Sequence, residues 1–129
     1  MRLLLDTHAL LWWLDDDSRL GTDFLATIAA PENDVLVSMA SLWEIAIKVR
    51  IGKLVADVDA IVAEIALNRF RPLGIEPSHL RALLDLPTHH RDPFDHLLIA
   101  QSFAERAVLV SDDRRIGQYP VSVMTCGTA

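Results

Sequence analysis

Apolar positions follow two rhythms along this chain. "LLL" at 3–5, "DVLVS" at 34–38 and "VLVS" at 108–111 are short runs in which apolar residues follow one another without a break. That is the pattern of strands buried on both faces of a parallel sheet. Between them the spacing lengthens: Ala9, Leu10, Trp13 and Leu14 recur at helical intervals. The pattern predicts a strand at 2–6 and a helix over 7–14, the acidic turn "DDDSRLG", and a helix over 20–30. A strand at 34–38 then runs into a helix that begins with "MASLWEIAIKVRIGKL". A helix over 57–68, a short strand at 70–75 and a short helix over 77–84 come next. The helix over 92–107 has clear start signals, with Asp92 as cap, Pro93 at the first helical position and Asp95 in the first turn. The strand at 108–111 follows, and "YPVSVM" is expected as a last edge strand. Strands alternating with helices predict an α/β fold with a parallel central sheet of four to five strands flanked by helices. The whole of 1–129 is read as one domain.

Composition narrows the class. Apolar residues make up 51% of the chain and the mean hydropathy is +0.26, enough for a generous core and against disorder. No apolar run is long enough to span a membrane. Arg2 ahead of "LLL" superficially resembles a signal peptide. Asp6 and His8 interrupt the run and no small-residue cleavage site follows, so it reads as mature sequence. One cysteine, Cys126, has no internal partner for a disulfide, which fits a reducing cytoplasm; near the C-terminus it reads as incidental. The net charge of −6 has the wrong sign for a simple nucleic-acid-binding surface, so a polyanionic substrate would need local basic residues or bound cations.

Acids punctuate the apolar runs. Asp6 follows "LLL", Glu44 lies six residues beyond the strand that ends at Ser38, and Asp112 and Asp113 follow the strand at 108–111. In a parallel α/β sheet the carboxyl ends of the strands and the helix starts after them share one edge, where ligands bind. Asp95 joins that edge only if its helix starts there, which the sequence leaves open. Each acid also has an ordinary structural explanation. Asp6 can cap the first helix, "SLWE" can form a capping box from Ser41 to Glu44, Asp95 can complement a helix dipole, and Asp113 can be a turn residue. Jointly those explanations leave the clustering unaccounted for. Two carboxylates about 4 Å apart repel by about 4 kcal/mol at an effective dielectric near 20, so a cluster must be protonated or neutralised by cations. All-oxygen donors favour Mg²⁺ or Mn²⁺ over zinc.

"LLLDTHALLWWL", "SLWEIAIKVRIGKL", "RDPFDHLLIAQ" and "LVSDDRRIGQYPV" closely resemble the motifs of PIN-domain nucleases, in the same order and at the same spacing, over nearly the whole chain. The likeness is strongest to the VapC-type toxins of toxin–antitoxin pairs. The resemblance implies an acidic quartet at Asp6, Glu44, Asp95 and Asp113, with Asp6 and Asp95 as the usual metal ligands. It also implies Mg²⁺- or Mn²⁺-dependent cleavage of RNA, a homodimer, and a cognate antitoxin that masks the site in the cytoplasm. Asp92 and Asp112 are extra acids that could substitute or assist.

Other residues carry secondary chemistry. His89, His90 and His96 flank the third motif; a zinc site would want cysteine or more regular histidine spacing, and a metal-activated water makes a catalytic histidine unnecessary. Thr7 and Ser111 offer hydroxyls beside the acids, as capping groups or as partners of a ligand set. Lys48, Arg50, Lys53, Arg91, Arg114 and Arg115 could restore positive potential or be solvated surface charges. Trp12, Trp13 and Trp43 read as core or interface rather than as base-stacking platforms. Two other α/β classes fit less well. A phosphoryl-accepting receiver domain wants a lysine after a late strand, where "VLVSDDRR" supplies acids. A haloacid-dehalogenase-type phosphatase wants a second Asp two residues after the first, where His8 stands. A binding module without catalysis is the remaining alternative.

Overall fold

In the computed structural model, which describes residues 1–127, the strands alternate with helices in the expected order. Strand β1 (Arg2–Leu5) leads into α1 (Thr7–Leu14) and α2 (Thr22–Ala29). β2 (Asp34–Ser38) leads into α3 (Met39–Arg50) and α4 (Val58–Leu67). β3 (Arg71–Leu73) is followed by α5 (Pro77–Leu84) and α6 (Pro93–Glu105). β4 (Val108–Val110) is followed by a 3-10 turn (Arg114–Gln118) and by β5 (Val123–Met124). The sheet has the order β3-β2-β1-β4-β5, and every pairing is parallel.

The unbroken leucine run is explained by its place. β1 is the central strand, and Leu3, Leu4 and Leu5 are all fully buried. Strand periodicity sends Leu3 and Leu5 to one face, where they pack with Phe24, Ile45, Ile61 and Ile65 from α2, α3 and α4. Leu4 goes to the other face, against Leu98 and Ile99 of α6 and Ile116 and Tyr119 of the segment after β4. Both faces of the sheet are therefore covered. Cys126 lies fully buried in the first of these clusters, and burial pushes its thiol up to about 12. It is a core residue rather than an incidental one, because its N–H donates to Asp112 Oδ1 at 2.6 Å and its carbonyl accepts from Gly21 N at 2.8 Å.

The chain order defines where a ligand would sit. From β1 the chain moves outward through β2 to β3, then returns across the sheet to β4 on the other side of β1. The carboxyl ends of β1 and β4 thus flank a topological switch point, the usual crevice of such sheets. Asp6 N donates to Val110 O at 3.0 Å, which fixes Asp6 beside the end of β4.

Two expectations are corrected. The helix carrying Glu44 starts at Met39, with Ser38 as cap accepting from Ala40 N at 3.0 Å. Ser41 is therefore inside the helix, and "SLWE" forms no capping box. The edge strand shrinks to Val123–Met124, because the chain first closes the 3-10 turn at Tyr119 and Pro120 has no N–H to give a ladder.

Candidate active site

The site is assembled from four elements. Asp6 caps α1: its Oδ1 accepts from Ala9 N at 2.8 Å. The residue is only 4% exposed, and burial pushes its carboxyl up to about 6. The Ser111 hydroxyl, the Ala9 N–H and His8 counter that rise, while the nearby Asp95 charge adds to it.

Glu44 enters from α3 and is 7% exposed. The Thr7 hydroxyl donates to its Oε1 at 2.6 Å and stands 3.1 Å from the Ser41 hydroxyl. Lys48, one turn further along α3, reaches Glu44 Oε2 at 3.0 Å. Asp6 and Glu44 are thus joined through adjacent residues, since Thr7 directly follows Asp6.

Asp95 reaches the same edge because of how α6 ends. Arg106 adopts a left-handed conformation (φ 53°), so only Arg106 and Ala107 separate α6 from β4. A helix that delivers the chain to the amino end of a strand must begin near that strand's carboxyl end. Asp92 is the cap, its Oδ1 accepting from Phe94 N at 3.0 Å and Asp95 N at 3.2 Å. Burial raises the Asp95 carboxyl, as do the Asp92 and Asp113 charges, while His90 lowers it.

Asp113 caps the 3-10 turn and is clamped by Arg115, whose terminal nitrogen lies 2.7 Å from its Oδ2 and 3.7 Å from Asp95 Oδ2. That guanidinium holds the Asp113 carboxyl below its usual range. Ser111 Oγ accepts from Asp113 N at 3.0 Å, so the hydroxyl beside Asp6 also shapes the turn that carries Asp113.

All four predicted acids therefore lie at the carboxyl edge of the sheet, linked through Thr7, Ser111 and Arg115. They do not converge on one point as they stand: among the described residues no three His, Cys, Asp or Glu side chains group closely enough to hold a metal ion. Glu44 is engaged by Lys48, and Asp113 by Arg115. Beside them opens a groove of about 480 Å³ lined by Asp6, His8, Trp12, Arg19, Asp112 and Asp113. Arg19 lies over the Trp12 ring at 4.4 Å. Its place there, five residues into the acidic turn, carries no sequence signal beyond its charge.

The remaining candidates separate. Lys48 and Arg115 pair with site acids, whereas Arg50, Lys53, Arg91 and Arg114 make no ion pair among the described residues. Trp13 is a core residue packed between Phe24 and Phe70, with Nε1 donating to Asn68. Trp43 is 58% exposed and packs edge-on against Phe94. The His89 ring packs edge-on against Tyr119, and His96 Nε2 donates to the His90 carbonyl at 2.6 Å. Tyr119 itself was not singled out by sequence; its hydroxyl meets His90, 29 residues earlier.

The model of the PIN domain matches residues 3–121, so the chain belongs to the PIN domain family. The fold agrees. VapBC2 from Rickettsia felis, solved with a DNA fragment from its promoter, is similar over 97% of this chain and 98% of its own, with a TM-score of 0.76 at 18% identity. VapBC-1 from nontypeable Haemophilus influenzae matches with a TM-score of 0.66 at 15% identity, over 97% and 98% of the two chains. FitAcB from Neisseria gonorrhoeae matches with a TM-score of 0.57 at 13% identity, over 95% and 96%. No curated protein sequence matches the chain. No described helix is long and apolar enough to cross a membrane.

Family membership implies a divalent cation, and the donor chemistry fits one. Asp6 and Asp95 are carboxylates whose charged forms burial disfavours, and among the described residues no lysine pairs with either. Among the described residues Arg115 is the one guanidinium within 4 Å of Asp95, at 3.7 Å, and it is committed to Asp113, while Arg19 shares the groove with Asp6 and pairs with Asp17. Acids in this state gain most from a hard cation with oxygen preference.

Proposed function

We propose that this chain is a Mg²⁺- or Mn²⁺-dependent endoribonuclease, the VapC-type toxin of a toxin–antitoxin pair, acting in the cytoplasm. The observation that carries the reading is the pair of acids at the switch point of a PIN-domain sheet, Asp6 buried and Asp95 half-buried, with the Asp95 charge acting on Asp6. Asp6 and Asp95 would hold the cation, with Glu44 and Asp113 completing the acidic set. When bound, the cation supplies Lewis acidity toward the phosphate and acidifies water for attack.

The chain's own residues do the rest. The α1 cap fixes the Asp6 side chain at the end of β1. Thr7 and Lys48 hold Glu44 oriented at the edge of the site. Arg115 and Arg19 stand beside the acids, paired with Asp113 and Asp17, and would bring positive charge to a phosphate backbone in the groove by exchanging those partners. The VapBC structures with the same fold support an antitoxin as partner, and a homodimer is the expected state.

Incubation of the purified protein with labelled RNA, with and without Mn²⁺, tests the proposal. Cleavage that requires Mn²⁺ and disappears in Asp6→Asn is expected. Cleavage that persists in chelator, or in Asp6→Asn, would overturn it.

A further inference from the structure

The histidine at the end of the loop between α5 and α6 has hydrogen bonds whose directions can be worked out. His90 Nε2 lies 3.1 Å from Asp95 Oδ2, and His90 Nδ1 lies 2.8 Å from the Tyr119 hydroxyl. Backbone N–H groups of His89 and His90 also donate to that hydroxyl, at 3.1 and 3.2 Å. A phenol has one hydrogen and two acceptor sites. With both acceptor sites occupied by N–H groups, its hydrogen must go to His90 Nδ1. Nδ1 is then an acceptor, the ring proton sits on Nε2, and Nε2–H donates to the Asp95 carboxylate, which can only accept. An imidazolium would instead place a third donor on Tyr119 and leave the phenol hydrogen with no acceptor. His96 secures the same loop by donating to the His90 carbonyl.

We propose that His90 is a positioning residue for Asp95, held in the Nε2–H tautomer by Tyr119, so that Oδ2 is tethered and Oδ1 is left to take a divalent cation. Among the described residues Asp95 Oδ1 has no hydrogen-bond partner, whereas Oδ2 carries both His90 and the more distant Arg115. Tyr119 is 4% exposed and belongs to the core that covers the sheet, so the tether is anchored to the fold rather than to a loop. The His90 and Asp95 side chains are 7% and 15% exposed, dry enough for the donor to keep its aim. Hydrogen bonds behind a ligand of this kind set its orientation and its donor strength. The inference rests on the proposal above only for the cation; the tautomer stands on the geometry alone.

Three variants and two readouts test it. Side-chain ¹⁵N NMR at pH 8 should show His90 as the Nε2–H tautomer in the wild type. Calorimetric Mn²⁺ titration should separate two His90 variants, because a glutamine amide nitrogen reaches where Nε2 stood and an asparagine nitrogen reaches only where Nδ1 stood. His90→Gln should stay within about threefold of wild-type affinity, while His90→Asn should lose about ten- to a hundredfold. Tyr119→Phe should fall between them, and it carries the test if His90→Asn fails to fold. Equal affinities in the two His90 variants, or a wild-type Nδ1–H tautomer, would overturn the inference. Wild-type protein that binds Mn²⁺ in this graded way yet leaves RNA intact would sink the nuclease reading alone. Wild-type protein that binds no Mn²⁺ would sink both.

Discussion

Replacing Asp6 by Asn should stabilise the metal-free protein, and the gain should depend on pH. Asp6 lies 4% exposed at the carboxyl end of the central strand, and its carboxyl is raised from 3.8 to about 6. A folded-state pKa above the unfolded value means that the folded protein binds the proton more tightly. The stability that Asp6 contributes is therefore complete below about pH 3.8 and lost as pH rises through about 6. At about 1.4 kcal/mol per pH unit, the loss above pH 7 is about 3 kcal/mol. Asparagine keeps an oxygen for the Ala9 N–H and cannot ionise, so it escapes that loss. In a chelator-containing buffer at pH 8, Asp6→Asn should melt about 10 °C above wild type, and the two should converge by pH 4. Mn²⁺ should reverse the order: a cation bound to the folded wild type at one thousand times its dissociation constant adds about 4.1 kcal/mol, more than that loss, and the variant lacks the charge to bind it. Urea or thermal melts at pH 4, 6 and 8, with and without Mn²⁺, read all of this. A gap between the two proteins that stays constant from pH 4 to pH 8 would refute the reasoning, because the burial penalty would then not be an ionisation penalty.

The other acids should rank by what the structure has them do. Asp95→Asn should abolish RNA cleavage with the fold retained, while Asp92→Asn and Asp112→Asn should be mild, since an amide oxygen can still accept from Phe94 N and from Cys126 N; RNA cleavage with circular dichroism checks both halves. Thr7→Val removes the 2.6 Å donor to Glu44 and leaves a buried carboxylate one partner short, so urea denaturation should show a loss of about 1–3 kcal/mol. Cleavage products should carry a 5′-phosphate and a 3′-hydroxyl, and mass spectrometry that found mainly 2′,3′-cyclic phosphate would point to a histidine mechanism instead.

Much of the fold was legible because a parallel sheet covered on both faces needs strands that are apolar at every position. "LLL", "DVLVS" and "VLVS" could hardly be anything else, and the helices fell between them. The errors came where tertiary contacts outrank local pattern. "SLWE" has the spacing of a capping box, yet the chain enters α3 straight from β2 and Ser38 takes the cap, which turns Ser41 toward Thr7. Cys126 looked incidental because nothing near it in sequence shows that Asp112 and Gly21 fasten its backbone. The direction of α6 was legible in principle: two residues between Glu105 and Val108 leave the helix only one way to lie against the sheet. The His90–Tyr119 pairing was not, since its residues stand far apart in the chain with no shared period.

Asp6 shows how the ordinary and the functional explanations of an acid can hold together. A residue that caps a helix uses one carboxylate oxygen, and here Oδ1 takes the Ala9 N–H. The cap fixes the side chain's rotamer and sets the carboxylate at the head of a helix, where the dipole favours negative charge. It leaves the second oxygen outside the cap, beside Ser111 and within the field of Asp95. Capping alone would put no second acid there. If Asp6 were only a cap, a hydroxyl would serve α1 as well and would carry no ionisation penalty at the centre of the sheet. Asp6→Ser separates the two roles: above pH 6 without metal it should be more stable than wild type, and it should lose the Mn²⁺-dependent rise in melting temperature.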